Sequence, residues 1–348
     1  MTRPRKEPAP RRRRVLTLMH PSLVPYEDRP ATDPSNHDRR MEWDVVTTLR
    51  ARGHDLSIIG VDDDLTPIRQ SIDEFKPEIA FNLIEAFADV GVFDQNVVSF
   101  LELLRVPYTG CSPRGLTLSR DKALAKKLMA YHRIPVPDFT VVPRGRKPVL
   151  PRRLTFPLIV KSLIYESSIG ISQASVVENE DQLAKRVQFI HDTIGTAAIV
   201  EQFIDGRELY VGVLGNTRLQ VFPVWEMSFA GMSGRTWHIA TERVKWSTAY
   251  QQKHGIETAQ ASLTDEVTLR VQHLAKRVYR ALDLTGYARV DMRMAPDGRL
   301  FVIEANPNPQ LAEKEDFAES ARRAGVPYHT LLERIMALGL QWQPSRTG

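Results

Sequence analysis

The chain has 348 residues, of which 42% are hydrophobic and 26% are charged, so it can bury a large core without disulfides or a structural metal. No uncharged apolar run approaches the roughly 20 residues of a membrane-spanning helix, and the single cysteine, Cys111, excludes an internal disulfide and a cysteine-based zinc cluster. We therefore expect a cytoplasmic protein of two or three domains with no membrane partner.

The net charge of +5 is concentrated at the start of the chain. Residues 1–14 contain seven arginines and lysines and one glutamate, which leaves 40 basic and 41 acidic residues in the rest of the sequence. Three prolines in the same segment disfavour a helix. We interpret 1–14 as a disordered basic tail rather than as a nucleic-acid-binding arm, and we expect no nucleic-acid partner.

Segment 15–112 alternates short apolar runs with helical patterns. The apolar runs fall at 15–19, 56–61 and 79–84, and residues with helical spacing lie between them. This order predicts a βαβαβ unit with a parallel sheet, and hence a Rossmann-like N-terminal domain. The turn after the first run lacks a glycine-rich fingerprint, so we expect the likeness to a dinucleotide-binding domain to be one of shape alone.

Segment 113–204 predicts a small α+β unit. Ser119 is a candidate N-cap for a helix that runs to Ala130, and 156–162 is an apolar run typical of a strand. A loop with two serines and a glycine follows at 165–170.

The Asp-Gly pair at 205–206 is typical of a tight turn. It predicts a β-hairpin between 197–204 and 208–214. The strongest helix of the remaining segment, 205–342, is expected to begin after Thr264, because acidic residues open it and an apolar stripe with helical spacing follows.

Segment 288–306 predicts two alternating strands around a turn at 295–298. If Met294 pairs with Arg299, cross-strand partners share a face and the polar residues gather on one side. That face would carry Arg289, Asp291, Arg293, Glu304 and Asn306, and the other Val290, Met292, Met294, Phe301, Ile303 and Ala305. Two carboxylates and an amide oxygen suit magnesium, whereas the alternative is an ordinary solvated sheet face. A bulge in either strand would move half of the set to the other face.

Three further residues are candidates on their local surroundings. Lys161 ends the run at 156–162 just before the serine and glycine loop, an arrangement that suits phosphate oxygens, although a solvated strand end is the alternative. The same two alternatives hold for Lys122 on its helix. Glu201 lies in an apolar stretch and needs a partner, which could be an amino group, a ribose hydroxyl or a structural salt bridge.

The order of these motifs resembles that of the ATP-grasp ligases, and among them the D-alanine–D-alanine ligases. The likeness spans 82–309 and includes the strand-ending lysine, the serine and glycine loop, Glu-x-Phe-Ile-x-Gly-x-Glu at 201–208, Arg-x-Asp at 289–291 and Glu-x-Asn at 304–306. It implies an ATP-grasp fold, of mixed α/β and α+β class, in which two subdomains clamp ATP. The small subdomain would be 113–204, the large subdomain with the metal site 205–342, and the pre-ATP-grasp domain 15–112.

The resemblance also implies an activity. The protein would be an ATP-dependent carboxylate–amine ligase that forms an amide or peptide bond through an acyl phosphate and releases ADP and phosphate. Its partners would be a small carboxylic acid and an amine, its cofactors ATP and two Mg²⁺ ions, with Mn²⁺ as the alternative metal, and a homodimer stays open. The alternatives are an ATP-grasp phosphotransferase that acts without an amine and a non-catalytic ATP-binding module.

The resemblance assigns a role to each matched residue. Those implied to bind ATP are Lys122, Lys161 and Ser168 at the phosphates, Glu201, Gln202 and Ile204 at the adenine, and Glu208 at the ribose. Those implied to bind magnesium are Asp291, Glu304 and Asn306. Those implied in catalysis are Arg289 at the reacting carboxyl group, Lys245 at the γ-phosphate and Ser167 in the loop that closes over the phosphates.

The substrate half departs from the family pattern. The first turn, 20–27, has no clear match to the family's glycine-rich turn and its ammonium-binding glutamate. Gln310 replaces a family glycine, and Glu315 lies where the family has a serine that helps to bind the second carboxylate. We therefore expect D-alanine to be a poor substrate at both positions.

Overall fold

The computed structural model describes residues 11–26, 39–165, 168–229, 231–232 and 236–343. They form two compact units, of which the first comprises the described residues up to Pro113 together with those from Gln310 onward, and the second is Arg114–Pro309. Within the described part of the chain, no helix is long and apolar enough to cross a membrane.

Helices and strands alternate through both units. The helices, in chain order, are α1 (Arg40–Ala51), α2 (Thr66–Phe75), α3 (Asp94–Leu103), α4 (Pro113–Arg120), α5 (Lys122–Tyr131), α6 (Glu180–Phe189), α7 (Glu242–Trp246), α8 (Thr248–Lys253), α9 (Asp265–Ala281), α10 (Asp316–Arg323) and α11 (Tyr328–Gly339). The strands are β1 (Arg14–Met19), β2 (Asp55–Gly60), β3 (Ile79–Asn82), β4 (Phe139–Val142), β5 (Leu158–Ser162), β6 (Val176–Val177), β7 (Ala198–Gln202), β8 (Arg207–Leu214), β9 (Gln220–Val221), β10 (Trp225–Ser228), β11 (Glu257–Gln260), β12 (Tyr287–Met294) and β13 (Leu300–Pro307).

The first unit contains a three-stranded parallel sheet in the order β2-β1-β3. The predicted βαβαβ unit is therefore confirmed. Strand β1 is buried throughout Val15–Met19 and is apolar there except for Thr17, as expected for the central strand of a parallel sheet. The C-terminal helix α11 contributes Leu331, Leu332 and Ile335 to the core of the same unit. Cys111 is buried.

Glu42 is a buried carboxyl group in the first turn of α1. It is 2% exposed, and its Oε1 has no hydrogen-bond partner among the described residues. Burial raises the pKa of Glu42 to about 7, and the nearby charge of Glu85 acts in the same direction, while its own backbone amide and Arg39 oppose it. The folded protein therefore holds a proton on Glu42 that the unfolded chain releases at lower pH.

Replacing Glu42 by glutamine should stabilise the protein at pH 8. A folded-state pKa above the unfolded value lowers the free energy of unfolding as the pH rises from about 4.5 to about 7, and the amide avoids that cost. The gain should be about 2–3 kcal/mol at pH 8 and near zero at pH 4.5. Urea unfolding at both pH values measures it, with Glu74→Gln on the exposed side of α2 as the control. Equal or lower stability of Glu42→Gln at pH 8 would contradict the assignment.

The second unit is built on two antiparallel sheets. A four-stranded sheet has the order β4-β7-β5-β6, and a six-stranded sheet has the order β11-β10-β8-β12-β13, with β9 paired to β8. Helix α9 packs on the larger sheet and begins after Thr264, whose side chain accepts a hydrogen bond from the Val267 amide. The prediction for this helix is therefore confirmed.

The predicted hairpin between 197–204 and 208–214 is wrong. Strand β7 pairs with β4 and β5, whereas β8 pairs with β10 and β12, so the chain passes from one sheet to the other at the Asp-Gly pair. Gly206 has φ +140°, and a Cβ atom there would lie 2.1 Å from the Met294 carbonyl oxygen. The glycine is therefore required by the close approach of β12 and not by a two-residue turn.

Ser119 does not cap the helix that carries Lys122. The Asp121 carboxylate accepts hydrogen bonds from the Ala123 and Leu124 amides, both at 2.9 Å, and is the N-cap of α5. The Ser119 hydroxyl instead donates to the Gly115 carbonyl within α4. The prediction was wrong because Asp121 competes for the same helix start, and a carboxylate is an equally good cap.

The register predicted for the β12–β13 hairpin is also wrong. Met294 pairs with Leu300 rather than Arg299, which shifts the pairing by one residue. A β-bulge between the Met292 and Asp291 pairs shifts it by one more residue. Each shift moves the side chains of β13 to the opposite face, so the two together restore the predicted face for Glu304 and Asn306. Phe301 lies between the two shifts, so it pairs with Arg293 and does not belong to the predicted apolar face. Ile303 is the unpaired residue of the bulge.

Candidate active site

An open cavity of about 660 Å³ lies between the two sheets of the second unit. Its wall combines residues of β5 and β7 with residues of β8, β12 and β13. Nine of the residues predicted for the site line it: Lys161, Ser168, Glu201, Gln202, Ile204, Glu208, Lys245, Asp291 and Glu304. Lys122, Arg289 and Asn306 lie beside this wall through the contacts described below, and Ser167 is outside the described residues.

Alternation along β5 and β7 places charge on the cavity side of the smaller sheet. Leu158 and Val160 of β5 pack in the apolar core with Val200 of β7. The side chains of the residues next to these along each strand point to the opposite face of the sheet. Lys161 and Glu201 therefore line the cavity, and the Lys161 Nζ lies 2.9 Å from the Glu201 Oε2.

Glu201 forms salt bridges through one carboxylate oxygen, and its other oxygen has no hydrogen-bond partner among the described residues. Lys126 approaches the same Oε2 at 3.5 Å, whereas Oε1 is buried and accepts no hydrogen bond from the described residues. Burial alone would raise the pKa of Glu201, but Lys126 and Lys161 more than offset it, so the carboxylate stays charged. The structural salt bridge thus exists, and Oε1 still fits a further donor such as an adenine amino group.

Lys126 is a buried cation that the sequence analysis missed. It is 1% exposed, and its Nζ donates to the Ile303 carbonyl at 2.8 Å as well as approaching Glu201. Burial lowers the pKa of Lys126 to about 8 despite the neighbouring carboxylate. Its spacing in the sequence could have identified it as a site residue, because a lysine four residues after Lys122 lies on the same face of α5.

The polar face of the β12–β13 hairpin brings the predicted metal ligands together. Asp291 and Glu304 are direct cross-strand partners, and Arg289 pairs with Asn306. The Arg289 guanidinium donates to both Asp291 oxygens, at 2.7 and 2.9 Å, and the Asn306 amide donates to Asp291 Oδ2 at 2.9 Å. Burial raises the pKa of Asp291, and Arg289 opposes this in part.

Glu304 is a partly buried carboxylate surrounded by cations. It forms no hydrogen bond or ion pair with its side-chain oxygens among the described residues, unlike Asp291. Burial would raise the pKa of Glu304, but the charges of the surrounding side chains hold it at about 2; in order of effect they are Lys122, Lys245, Lys161 and Arg289. Glu304 is therefore an anion with unused oxygen lone pairs, and it lines the same cavity as Lys161 and Lys245.

The connection between the sheets and the start of β8 form the opposite end of the cavity. The Ile204 amide finds no acceptor among the described residues, while the Ile204 carbonyl accepts from Arg293 at 2.8 Å. The Glu208 carboxylate is held at both oxygens, by Arg293 at 2.8 Å and by the Tyr210 hydroxyl at 2.8 Å. The Gln202 side chain is bound to the backbone of its own sheet, donating to the Pro157 carbonyl.

Two loops meet over the cavity near the lysines. The Ser168 hydroxyl donates to the Ala240 carbonyl at 2.8 Å, and the Gly170 amide approaches the Glu242 carboxylate at 3.3 Å. Lys245 lies on α7 just beyond them and lines the cavity. Lys122 joins the same region, because its Nζ donates to the Tyr165 carbonyl at 2.6 Å.

The residues that depart from the family pattern lie in the first unit. The run at 313–316 is exposed apart from half-buried Asp316, and it leads into α10, with Glu315 at the N-cap and Asp316 as the first helical residue. These acidic side chains thus occupy an ordinary helix start, where they favour the helix dipole. In the first turn, 20–26 is described and contains no glutamate, and Glu27 lies outside the described residues.

Comparison with known proteins agrees with this geometry. The family model for the D-ala D-ala ligase C-terminus matches residues 128–337. The D-alanine–D-alanine ligase of Desulfotalea psychrophila is 34% identical over 258 residues, covering 73% of this chain and 77% of that protein. The chain belongs to the D-alanine–D-alanine ligase family. A second member, from Desulforudis audaxviator, is 31% identical over 297 residues, covering 84% and 90%.

Solved structures give the fold of this family member. The D-alanine–D-alanine ligase from Bacillus anthracis, complexed with ATP, superposes with a TM-score of 0.73 at 20% identity, over 94% of this chain and 98% of that one. The predicted ATP-grasp fold is confirmed. The protein is thus an ATP-dependent ligase that forms carbon–nitrogen bonds, and neither the phosphotransferase nor the non-catalytic module is favoured.

Proposed function

We propose that this family member joins a small carboxylic acid to an amine through an acyl phosphate. ADP and phosphate would be the products. The observation that carries the proposal is the charge pattern around Glu304, a carboxylate that has no hydrogen-bond partner among the described residues and lines the cavity together with Lys161 and Lys245. Such an arrangement suits a polyphosphate chain with a divalent cation, since each charge type then finds an opposite partner.

The nucleotide would lie along the cavity from the sheet connection to the lysines. The buried Glu201 Oε1 and the Ile204 amide, which has no acceptor among the described residues, are an acceptor and a donor that suit the edge of adenine. Glu208 would hold the ribose hydroxyls. Lys122 and Lys161 would bind the phosphates, with Ser167 and Ser168 in the covering loop.

Two magnesium ions would be held by Asp291, Glu304 and Asn306. The donor set fits, because Asp291 and Glu304 are cross-strand neighbours, both offer hard oxygen atoms, and Glu304 has no other side-chain partner among the described residues. When bound, magnesium supplies positive charge to the phosphate oxygens.

The chain's own residues would act in two steps. In the first, a carboxylate oxygen of the acid attacks the γ-phosphorus, a new O–P bond forms and the bond to the β,γ-bridging oxygen breaks, releasing ADP. Lys245, which lines the cavity, would neutralise the charge of the transferred group. In the second, the amine nitrogen attacks the acyl carbon, the C–O bond to phosphate breaks and the amine proton passes to solvent. Arg289, oriented by its two bonds to Asp291, would stabilise the oxyanion.

A screen of amino acids and short peptides for phosphate release tests the proposal. Turnover should require an acid, an amine, ATP and magnesium together, and ADP should equal phosphate in amount. Release of AMP and pyrophosphate would contradict the acyl-phosphate chemistry. ADP formation that needs no amine would favour the phosphotransferase alternative instead.

A further inference from the structure

Arg293 is a buried cation that contacts three separate segments of the nucleotide cavity. It lies on β12, is 5% exposed and lines the cavity wall. Its Nη1 donates to the Ile204 carbonyl at 2.8 Å, and its Nη2 donates to Glu208 Oε2 at 2.8 Å and to the His238 carbonyl. Its guanidinium carbon lies 5.3 Å from the centre of the Phe203 ring.

These contacts exceed what is needed to neutralise Glu208. A lysine could supply the charge, but a planar guanidinium presents several donors in fixed directions and can reach a carboxylate and two carbonyls at once. The acceptors belong to the connection between the sheets, to β8 and to the segment 236–241. Arg293 thus forms hydrogen bonds to all three of these segments.

We propose that Arg293 is a positioning residue that pre-arranges the adenosine end of the nucleotide site. This inference rests on the proposed function, because it takes the cavity to be the ATP site. By holding the Ile204 carbonyl, Arg293 fixes the backbone whose amide has no acceptor among the described residues. By holding one oxygen of Glu208, while Tyr210 holds the other, it sets the orientation of the carboxylate. Pre-arrangement of this kind lowers the entropic cost of binding.

The proposed role is confined to one end of the site. The bonds of Arg293 go to Ile204, Glu208 and His238, and the lysines at the other end are held through Glu201 and the Tyr165 carbonyl. Loss of Arg293 should therefore weaken the binding of the nucleotide and leave the site of the carboxylic acid unaffected.

Calorimetric titration of the full chain with MgADP tests the inference. Arg293→Met should weaken ADP binding roughly tenfold or more, because hydrogen bonds to a charged group are lost from a buried site. Arg293→Lys should recover part of the affinity through the charge beside Glu208. The control is Arg299→Met, which removes the same charge from the exposed turn of the hairpin, where Arg299 pairs with Asp297. Its ADP affinity should stay within twofold of that of the wild type.

Steady-state kinetics separate positioning from a loss of structure. With an acid and amine pair that supports turnover, Arg293→Met should raise the KM for ATP by the same factor, with less than a threefold change in kcat and in the KM for the acid. Wild-type ADP affinity in both folded variants, or an equal rise in both KM values, would overturn the inference. If Arg293→Met does not fold, Arg293→Lys decides alone, with a severalfold weaker affinity expected and an unchanged one contradicting it. Failure of the wild type to bind MgADP would overturn the proposed function instead.

Discussion

Replacing Glu304 by glutamine is expected to lower kcat by a factor on the order of 10²–10³. The substitution keeps the size of the side chain and removes the negative charge that faces the lysines and the proposed metal ions. The apolar face of the hairpin is untouched, because Val290, Val302 and Ala305 keep their core contacts. The melting temperature should therefore change by only a few degrees, whereas kcat should fall by the factor given above.

The matched control for this substitution is Glu257→Gln. Glu257 is exposed on β11 of the same sheet, so the substitution Glu257→Gln removes the same charge without altering the cavity. Its kcat should equal that of the wild type. A folded Glu304→Gln variant with unchanged kinetics would indicate that the polar face of the hairpin is an ordinary solvated surface.

D-alanine should be a poor substrate at both positions, by a factor on the order of 10⁴ in kcat/KM against the preferred acid and amine. The first turn, 20–27, has no clear match to the family's glycine-rich turn and its ammonium-binding glutamate, and Glu315, the N-cap residue of α10, has no hydroxyl group to donate to a carboxylate. A polar substrate group that loses its partner in a site built for hydrogen bonding is rejected strongly. Dipeptide formation from D-alanine, measured against a panel of amines, gives the ratio.

Restoring the family residues provides the sharper comparison. The double substitution Gln310→Gly with Glu315→Ser should increase D-alanyl-D-alanine synthesis relative to wild type. Glu313→Ser, which removes a neighbouring exposed charge, should not. Efficient D-alanyl-D-alanine synthesis by the wild-type chain would refute the prediction and would mean that other residues hold both substrates.

The architecture of the chain could be predicted where hydrophobic periodicity and order suffice. The parallel strands at 15–19, 56–61 and 79–84, the helix after Thr264 and the two strands around 295–298 are all found. The errors lie where two local signals compete. The Asp-Gly pair at 205–206 has the composition of a hairpin turn, but the tertiary structure requires its glycine for the close approach of β12.

Register could not be predicted from alternation alone. Alternation fixes which residues share a face only relative to the turn, and the turn pairs Ala295 with Arg299 rather than Met294 with Arg299. The bulge at Ile303 is invisible in the sequence, since nothing in its composition marks it. Glu304 and Asn306 reached the predicted face because two shifts of one residue cancel, so that success did not depend on the correct register.

The candidate site could be predicted where motifs match, and not where function depends on three-dimensional contacts. Lys126 was missed because a lysine within a basic helix segment is typical of a solvated surface, and only the tertiary structure buries it against Glu201. Arg293 was placed on the polar face but given no role. Its partners, Ile204, Glu208 and His238, are more than fifty residues away along the chain.

The fate of a labelled oxygen tests the acyl-phosphate chemistry most directly. An acid that supports turnover is prepared with ¹⁸O in its carboxylate and incubated with the amine, ATP and magnesium. If the carboxylate attacks the γ-phosphorus and the amine then displaces phosphate, one ¹⁸O atom per turnover appears in inorganic phosphate, and ADP is unlabelled. Appearance of the label in AMP, together with pyrophosphate, would contradict the acyl phosphate and with it the proposed roles of Lys245, Arg289 and Glu304.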